Sequence, residues 1–261
     1  MEYLDTHFHT LHMRAKGLDV PQLYRQLQQE GFLGGIDVGT HPGDIAERSR
    51  LLEGFDTIML SGGAHPGALS RHSLEELLAD LPKISRAAEA GQIRFVGECG
   101  IDLYRSPDTL RDQQKLFAAQ LETAEILKLP VIIHNRAADA QVLEMLKAYR
   151  PSCGGIMHCF SGDAAFAAEV QELGFYISFA GNLTYTTSRK LVEALRETDI
   201  RRLLFETDSP FLTPEPKRGR VNHPGMTGYT YAFAAEVLGL DITHLVQQTI
   251  SSFNALVYPH T

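Results

Sequence analysis

The chain has 261 residues, 44% of them hydrophobic, with 22 glycines and 12 prolines, an ordinary globular composition long enough for one large core. Lysine and arginine total 24 against 32 aspartates and glutamates, a formal charge of −8, so no global positive field draws in a polyanion, and affinity for nucleic acid or phosphate must rest on a local patch. Three cysteines, odd in number and without a C-x-x-C, together with the lack of a leader or an apolar run of membrane-spanning length, lead us to expect a soluble cytoplasmic monomer.

In chain order, residues 3–9 (Tyr-Leu-Asp-Thr-His-Phe-His) read as a short strand ending in two histidines. Residues two apart on a strand share a face, so His7 and His9 can converge on one point, and converging imidazoles suit a transition metal. A polar stretch follows, then a helix over 21–30 with Leu23 and Leu27 on helical spacing, Gly31 as its C-cap, and a strand over 33–38. The alternation recurs: helix 42–52, strand 57–61, helix 73–91 with a break near Pro82, strand 93–99, helix 110–127, strand 130–134 and helix 138–148. Strand 155–158, helix 164–173, strand 175–180, helix 188–196, strand 202–206 and closing helices 231–238 and 242–256 complete it.

Eight short apolar runs, each followed by a helical segment, imply parallel strands joined by right-handed crossovers. At this length the predicted architecture is α/β, a (β/α)8 TIM-type barrel. An open doubly wound sheet is the competing fold, but no G-x-G-x-x-G follows an early strand. No linker, low-complexity segment or charge block divides the chain, so residues 1–261 are read as a single catalytic barrel domain.

The polar residues fall at one end. His7 and His9 close the first strand, and His65 follows the third in Gly-Gly-Ala-His-Pro. Glu98 ends the fourth, His134 the fifth, His158 the sixth, and Asp208 lies just past the eighth. Singly, each also suits a satisfied histidine or a turn-capping aspartate. Together they mark the C-terminal rim, where enzymes of this fold carry their active site. Glu98 after Phe95-Val96-Gly97 is a carboxylate too costly to bury unless paired or metal-bound. Cys99 and Cys159 sit beside ligand candidates but face the other way on a strand and read as packing residues. Four histidines and two carboxylates exceed what one catalytic zinc uses, so two divalent ions (Mg, Mn or Zn) sharing a carboxylate are expected.

The motifs Asp-Thr-His-Phe-His at 5–9, Gly-Glu-Cys-Gly-Ile-Asp-Leu at 97–103, Pro-Val-Ile-Ile-His-Asn-Arg at 130–136, His-Cys-Phe-Ser-Gly at 158–162 and Glu-Thr-Asp-Ser-Pro-Phe-Leu-Thr-Pro at 206–214 resemble those of the TatD-type metal-dependent deoxyribonucleases, in the right order along the whole chain. The resemblance implies an amidohydrolase-type barrel and a divalent-metal phosphodiesterase acting on DNA. It further implies that His7, His9 and Asp208 hold one metal, that His134 and His158 hold the other, that Glu98 bridges them, and that His65 contacts the scissile phosphate. Two positions depart from the family pattern. Where an acidic residue is usual two after the second histidine, Thr10-Leu11 follows and His12 is additional; Ala140 stands where another acidic residue is usual.

The expected reaction is metal-assisted phosphodiester hydrolysis, with Asp208 and Glu98 as the catalytic carboxylates. Arg136, two beyond His134, and Arg218 in Lys217-Arg218-Gly219-Arg220 are the candidate phosphate contacts. Tyr104, Phe160, Tyr185 and Phe211 on mouth loops are candidates to stack bases. The negative net charge favours single-stranded DNA or strand ends over duplex, hence an exonuclease. The alternative is a metal-dependent amidohydrolase or deacylase acting on a small-molecule or tRNA-linked substrate, since fold does not dictate function. Such enzymes often bridge their metals with a carboxylated lysine, whereas here Glu98 and no lysine ends a strand.

Overall fold

The apolar runs are rich in β-branched and aromatic residues, as strands buried on both faces must be. In the computed structural model, which describes residues 2–258, they form β1 (Tyr3–Phe8), β2 (Phe32–Asp37), β3 (Ile58–Gly62), β4 (Phe95–Asp102), β5 (Val131–Arg136), β6 (Gly155–Met157), β7 (Phe175–Phe179) and β8 (Leu203–Phe205). Each strand pairs in parallel with the next, in sequence order.

The helices are α1 (Thr10–Ala15), α2 (Val20–Gln29), α3 (Ile45–Leu51), α4 (Leu74–Asp80), α5 (Pro82–Glu89), α6 (Leu110–Leu127), α7 (Asp139–Tyr149), α8 (Ala164–Glu172), α9 (Arg189–Glu197), α10 (Thr227–Leu238) and α11 (Ile242–Val257). This is the expected TIM-type barrel. The helical stretch at 73–91 divides at Pro82, and Ser73 and Glu76 form a capping box at the start of α4. One helix lies in what read as a polar stretch: α1 follows His9 directly, and no side chain of its own caps it. Its first amide, Thr10 N–H, donates to Asp37 Oδ1 at 2.7 Å, a cap supplied by the neighbouring strand and invisible to local spacing. β4 and β5 also run on to Asp102 and Arg136, beyond the expected ends at 99 and 134.

Strand alternation sorts the core into two layers. Outward residues such as Tyr3, Val96, Ile133, Met157 and Phe205 pack against helical residues including Leu116, Phe117, Val142 and Leu195. Inward residues Leu4, Ile36, Phe95, Ile132, Ile156, Tyr176 and Leu204 pack on one another and on Phe253 and Leu256 of α11. One period further along the inner face stand His134 after Ile132, His158 after Ile156 and Glu206 after Leu204. The apolar floor thereby carries the polar rim.

The barrel joins its ends just beyond β8. Phe8 bridges Ser209 in parallel. Asp208 N–H donates to the His7 carbonyl at 2.9 Å, and His9 N–H donates to the Ser209 carbonyl at 2.9 Å. Thr6 Oγ1 donates to the Phe205 carbonyl at 3.0 Å. Asp5, fully buried, accepts from the Thr207 amide at 2.9 Å, the Thr207 hydroxyl at 2.5 Å and the His7 amide at 3.2 Å.

Replacing Asp5 with Ala strands three buried donors, and about 2–4 kcal/mol of stability should be lost. Burial drives the Asp5 carboxyl well above its ordinary range, so Asp5→Asn, which keeps an acceptor and drops the charge, should cost less. Chemical denaturation of both variants decides: equal losses would mean that the seam does not depend on these bonds.

Candidate metal centre

His7 and His9 project from the end of β1 to the same point because the extended backbone continues through His9 (φ −122, ψ 94). Their Nε2 atoms lie 3.2 Å apart. Asp208, held by a left-handed backbone (φ 53) past β8, brings Oδ1 to 3.3 Å from His9 Nε2 and 3.8 Å from His7 Nε2. Glu98, buried in β4, divides its two oxygens. Oε1 lies 2.7 Å from both His134 Nδ1 and His158 Nε2, which are themselves 3.5 Å apart. Oε2 lies 3.6 Å from His7 Nε2 and 3.8 Å from His9 Nε2. The His7 and His158 rings stack at 3.8 Å, so the two halves of the cluster touch.

The donor set fits divalent ions. Ligand atoms bound to one ion at about 2.1 Å stand roughly 3–3.5 Å apart, close to the separations around His7, His9 and Asp208. The outer ring nitrogens give an independent test. His9 Nδ1 faces the Val38 carbonyl at 2.9 Å, His134 Nε2 faces Asp102 at 3.3 Å, and His158 Nδ1 faces Glu206 at 3.2 Å. An acceptor behind the ring holds the hydrogen there and leaves the inward nitrogen with a lone pair, the arrangement a metal ligand requires. His7 Nδ1 is buried without a hydrogen-bond partner.

His65 is built the other way. Its Nε2 lies 3.6 Å from Glu98 Oε1, near enough to group with Glu98 and His134. Its Nδ1, however, accepts from the Gly67 amide at 2.9 Å. Burial and the nearby charge of His134 lower its pKa to about 3, so the ring is neutral and its hydrogen sits on the inward Nε2. His65 therefore offers a donor where His9, His134 and His158, once neutral, present acceptors.

Electrostatics follow from this crowding. Burial opposes the charge on Glu98, but His158, His65 and His134 outweigh it and hold the carboxyl well below its usual range. Asp208 is likewise lowered, by His9 against the effect of burial. Burial also opposes protonation of His9, yet Asp208 and Glu98 bring it up to about 9; Glu98 and Glu206 raise His158 well above normal in the same way.

The flanks are aromatic and cationic. Arg136, at the end of β5, lies 4.3 Å over the exposed ring of Tyr104, and the exposed Arg218 lies 4.0 Å over Tyr185. Phe211, 44% exposed, stands edge-on to His9 and His12. Phe160 does not belong with them. It is buried against Phe166 and Phe179, a packing role that its place after His158-Cys159 did not reveal. Cys99 packs in the outer core as expected, whereas Cys159 follows the strand in a left-handed conformation (φ 44). Asp5, Asp102 and Glu206, the carboxylates behind the ligand candidates, were not singled out from sequence, although Glu206 stands two residues after inward-facing Leu204.

Residues 4–257 match the family model described as TatD related DNase. An Escherichia coli protein named as the uncharacterized metal-dependent hydrolase YcfH is 36% identical over 220 residues, covering 84% of this chain and 80% of its own length. The Bacillus subtilis uncharacterized metal-dependent hydrolase YabD is 31% identical over 253 residues, covering 97% of each chain. The crystal structure of YjjV, a TatD homologue from Escherichia coli, superposes with a TM-score of 0.86 at 27% identity, covering 98% of this chain and 97% of that one.

Because ligand imidazoles must be neutral, a cation entering this site displaces protons from His9 and His158. His9, raised to about 9, is protonated at neutral pH, so Mn²⁺ affinity should rise with pH from 6 to about 9 and fall on acidification. Calorimetry in buffers of different ionisation enthalpy should register proton release at pH 7; metal uptake without it would contradict the assignment of these nitrogens. With a match over nearly its full length and two relatives above 30% identity, the chain belongs to the TatD-related DNase family of metal-dependent hydrolases.

Proposed function

We propose that this protein is a divalent-metal-dependent phosphodiesterase that shortens single-stranded DNA or strand ends. The observation that carries the reading is the split of Glu98, whose two oxygens face two separate donor groups, as a carboxylate bridging two cations must. His7, His9 and Asp208 would hold one ion, His134 and His158 the other, with Glu98 common to both. When bound, the ions supply Lewis-acid stabilisation of the phosphoryl oxygens and an acidified water.

The residues of the chain do the rest. Asp208 is the ligand carboxylate that reaches solvent, its side chain 15% exposed against 3% for Glu98, and it is ionised, so it can accept the proton of the attacking water. With its proton passed to Asp208, the water would add to phosphorus as the bond to the leaving oxygen breaks, and the leaving oxygen would take a proton from solvent. His65, neutral with its hydrogen on Nε2, donates to a non-bridging oxygen as charge develops there. Arg136 and Arg218 neutralise phosphates on either side of the scissile one. Tyr104 and Phe211 offer exposed aromatic faces to bases. A chain of charge −8, with Arg136 and Arg218 beside the site, suits a strand end entering the mouth better than a duplex laid across it.

An end-labelled single-stranded oligonucleotide with Mg²⁺ or Mn²⁺, and EDTA as control, tests the reading directly. Metal-dependent shortening is expected; its absence with every metal would transfer the same site to an amidohydrolase or deacylase reaction. Glu98→Ala should abolish tight metal binding and activity together, and a variant with normal metal content and turnover would sink the bridging role. His65→Ala should keep its metal content while kcat/KM falls by about 10²-fold. Loss of metal instead would make His65 a ligand.

A further inference from the structure

Beneath the metal centre lies a charged group that the reaction does not use. Arg48, on α3, is 1% exposed, and its guanidinium donates in four directions. Nε reaches Asp44 Oδ1 at 2.8 Å, Nη1 reaches Asp37 Oδ2 at 3.0 Å and the Asp37 carbonyl at 3.1 Å, and Nη2 reaches the Ser61 carbonyl at 2.6 Å. Two carboxylates and two strand ends therefore close around one buried cation.

The segment gripped in this way is 37–44. Asp44 Oδ2 accepts from the Thr40 and His41 amides at 3.1 and 3.2 Å. Gly39 lies so close that a Cβ there would stand 2.2 Å from Arg48 Nη2. From this segment Val38 offers its carbonyl to His9 Nδ1 at 2.9 Å, and the Gly39 carbonyl accepts the Glu98 amide at 3.0 Å. Ser61 completes the frame: its hydroxyl accepts from the Gly39 amide at 3.1 Å and donates to the Gly97 carbonyl, immediately before Glu98, at 2.6 Å. The backbone on both sides of the Gly97–Glu98 peptide and the outer nitrogen of His9 thus hang on the same guanidinium.

We infer that Arg48 is a positioning residue for the metal centre, holding the 37–44 segment and Ser61 so that Glu98 and His9 present their ligand atoms at the separations the ions require. The inference rests on the ligand roles proposed above for Glu98 and His9. Arginine suits the task because its planar fork spans two carboxylates and two carbonyls; the single ammonium of lysine has three donors at one point and cannot reach all four. Removing such outer support from metal ligands typically weakens binding by about 10- to 100-fold.

The test uses Mn²⁺ alone, its free concentration read by electron paramagnetic resonance, with thermal unfolding followed in parallel. Arg48→Lys should raise the Mn²⁺ Kd by about 10-fold or more. Ser61→Ala, which keeps the carbonyl bond to Arg48 and cuts only the links to Gly39 and Gly97, should raise it by roughly 3- to 10-fold. Leu77→Ala, a cavity in the α4 core outside this network, should lower Tm and leave the Mn²⁺ Kd at the wild-type value. Should Arg48→Lys fail to fold, Ser61→Ala decides alone. Wild-type Mn²⁺ affinity in the folded Arg48 and Ser61 variants would overturn the positioning role, as would an equal loss in Leu77→Ala. Wild-type protein that binds no Mn²⁺ would overturn the ligand assignment itself and this inference with it.

Discussion

The join between β1 and the chain at 205–209 is the constraint on which the rest depends. A sheet of parallel strands becomes a barrel only if its first strand meets its last, and here β8 is too short to do so alone. Two backbone hydrogen bonds, the Thr6 hydroxyl and the buried Asp5 carboxyl make the junction. His7 and His9 stand on one side of it and Asp208 on the other, so the seam that closes the fold also assembles a donor group. A carboxylate at that position is costly to bury, and three donors around Asp5 offset the cost.

A second constraint is charge. Glu98 lies at the centre of five imidazoles in a water-poor rim, where an unpaired carboxylate would be prohibitive. It is tolerated because each of its oxygens meets nitrogen atoms that carry either protons or, in the proposed enzyme, metal ions. Which nitrogen faces inward is decided one layer further out, by Val38, Asp102 and Glu206. The same logic separates His65 from its neighbours. A single amide, that of Gly67, reverses its tautomer and turns a would-be ligand into a hydrogen-bond donor.

Much of this was legible along the chain. The eight strands followed from apolar runs such as Val131-Ile132-Ile133 and Phe175–Phe179, and the break at Pro82 from the missing amide of proline. That His7, His9, Glu98, His134, His158 and Asp208 share one rim followed from their places at strand ends, and the geometry brings all six together. Other features were not legible, for reasons of distance. α1 forms because Asp37, 27 residues away, caps it. Phe160 looked like a mouth aromatic but turns into the core between Phe166 and Phe179. Arg48 lies on α3 with nothing local to mark it, and Asp37, Asp44 and the Ser61 carbonyl close around it only in the fold.

The sequence by itself determined the β/α alternation, the strand count and the identity of the rim residues, because strand and helix periodicity are local properties that pattern a chain before it folds. Only the tertiary structure decided how the rim residues group. The split of the Glu98 oxygens depends on histidines from other strands, and the directions of the His9, His134 and His158 rings on acceptors 29, 32 and 48 residues away. Hydrogen-bond distances between such groups exist only once the barrel has closed, and no spacing along the chain encodes them.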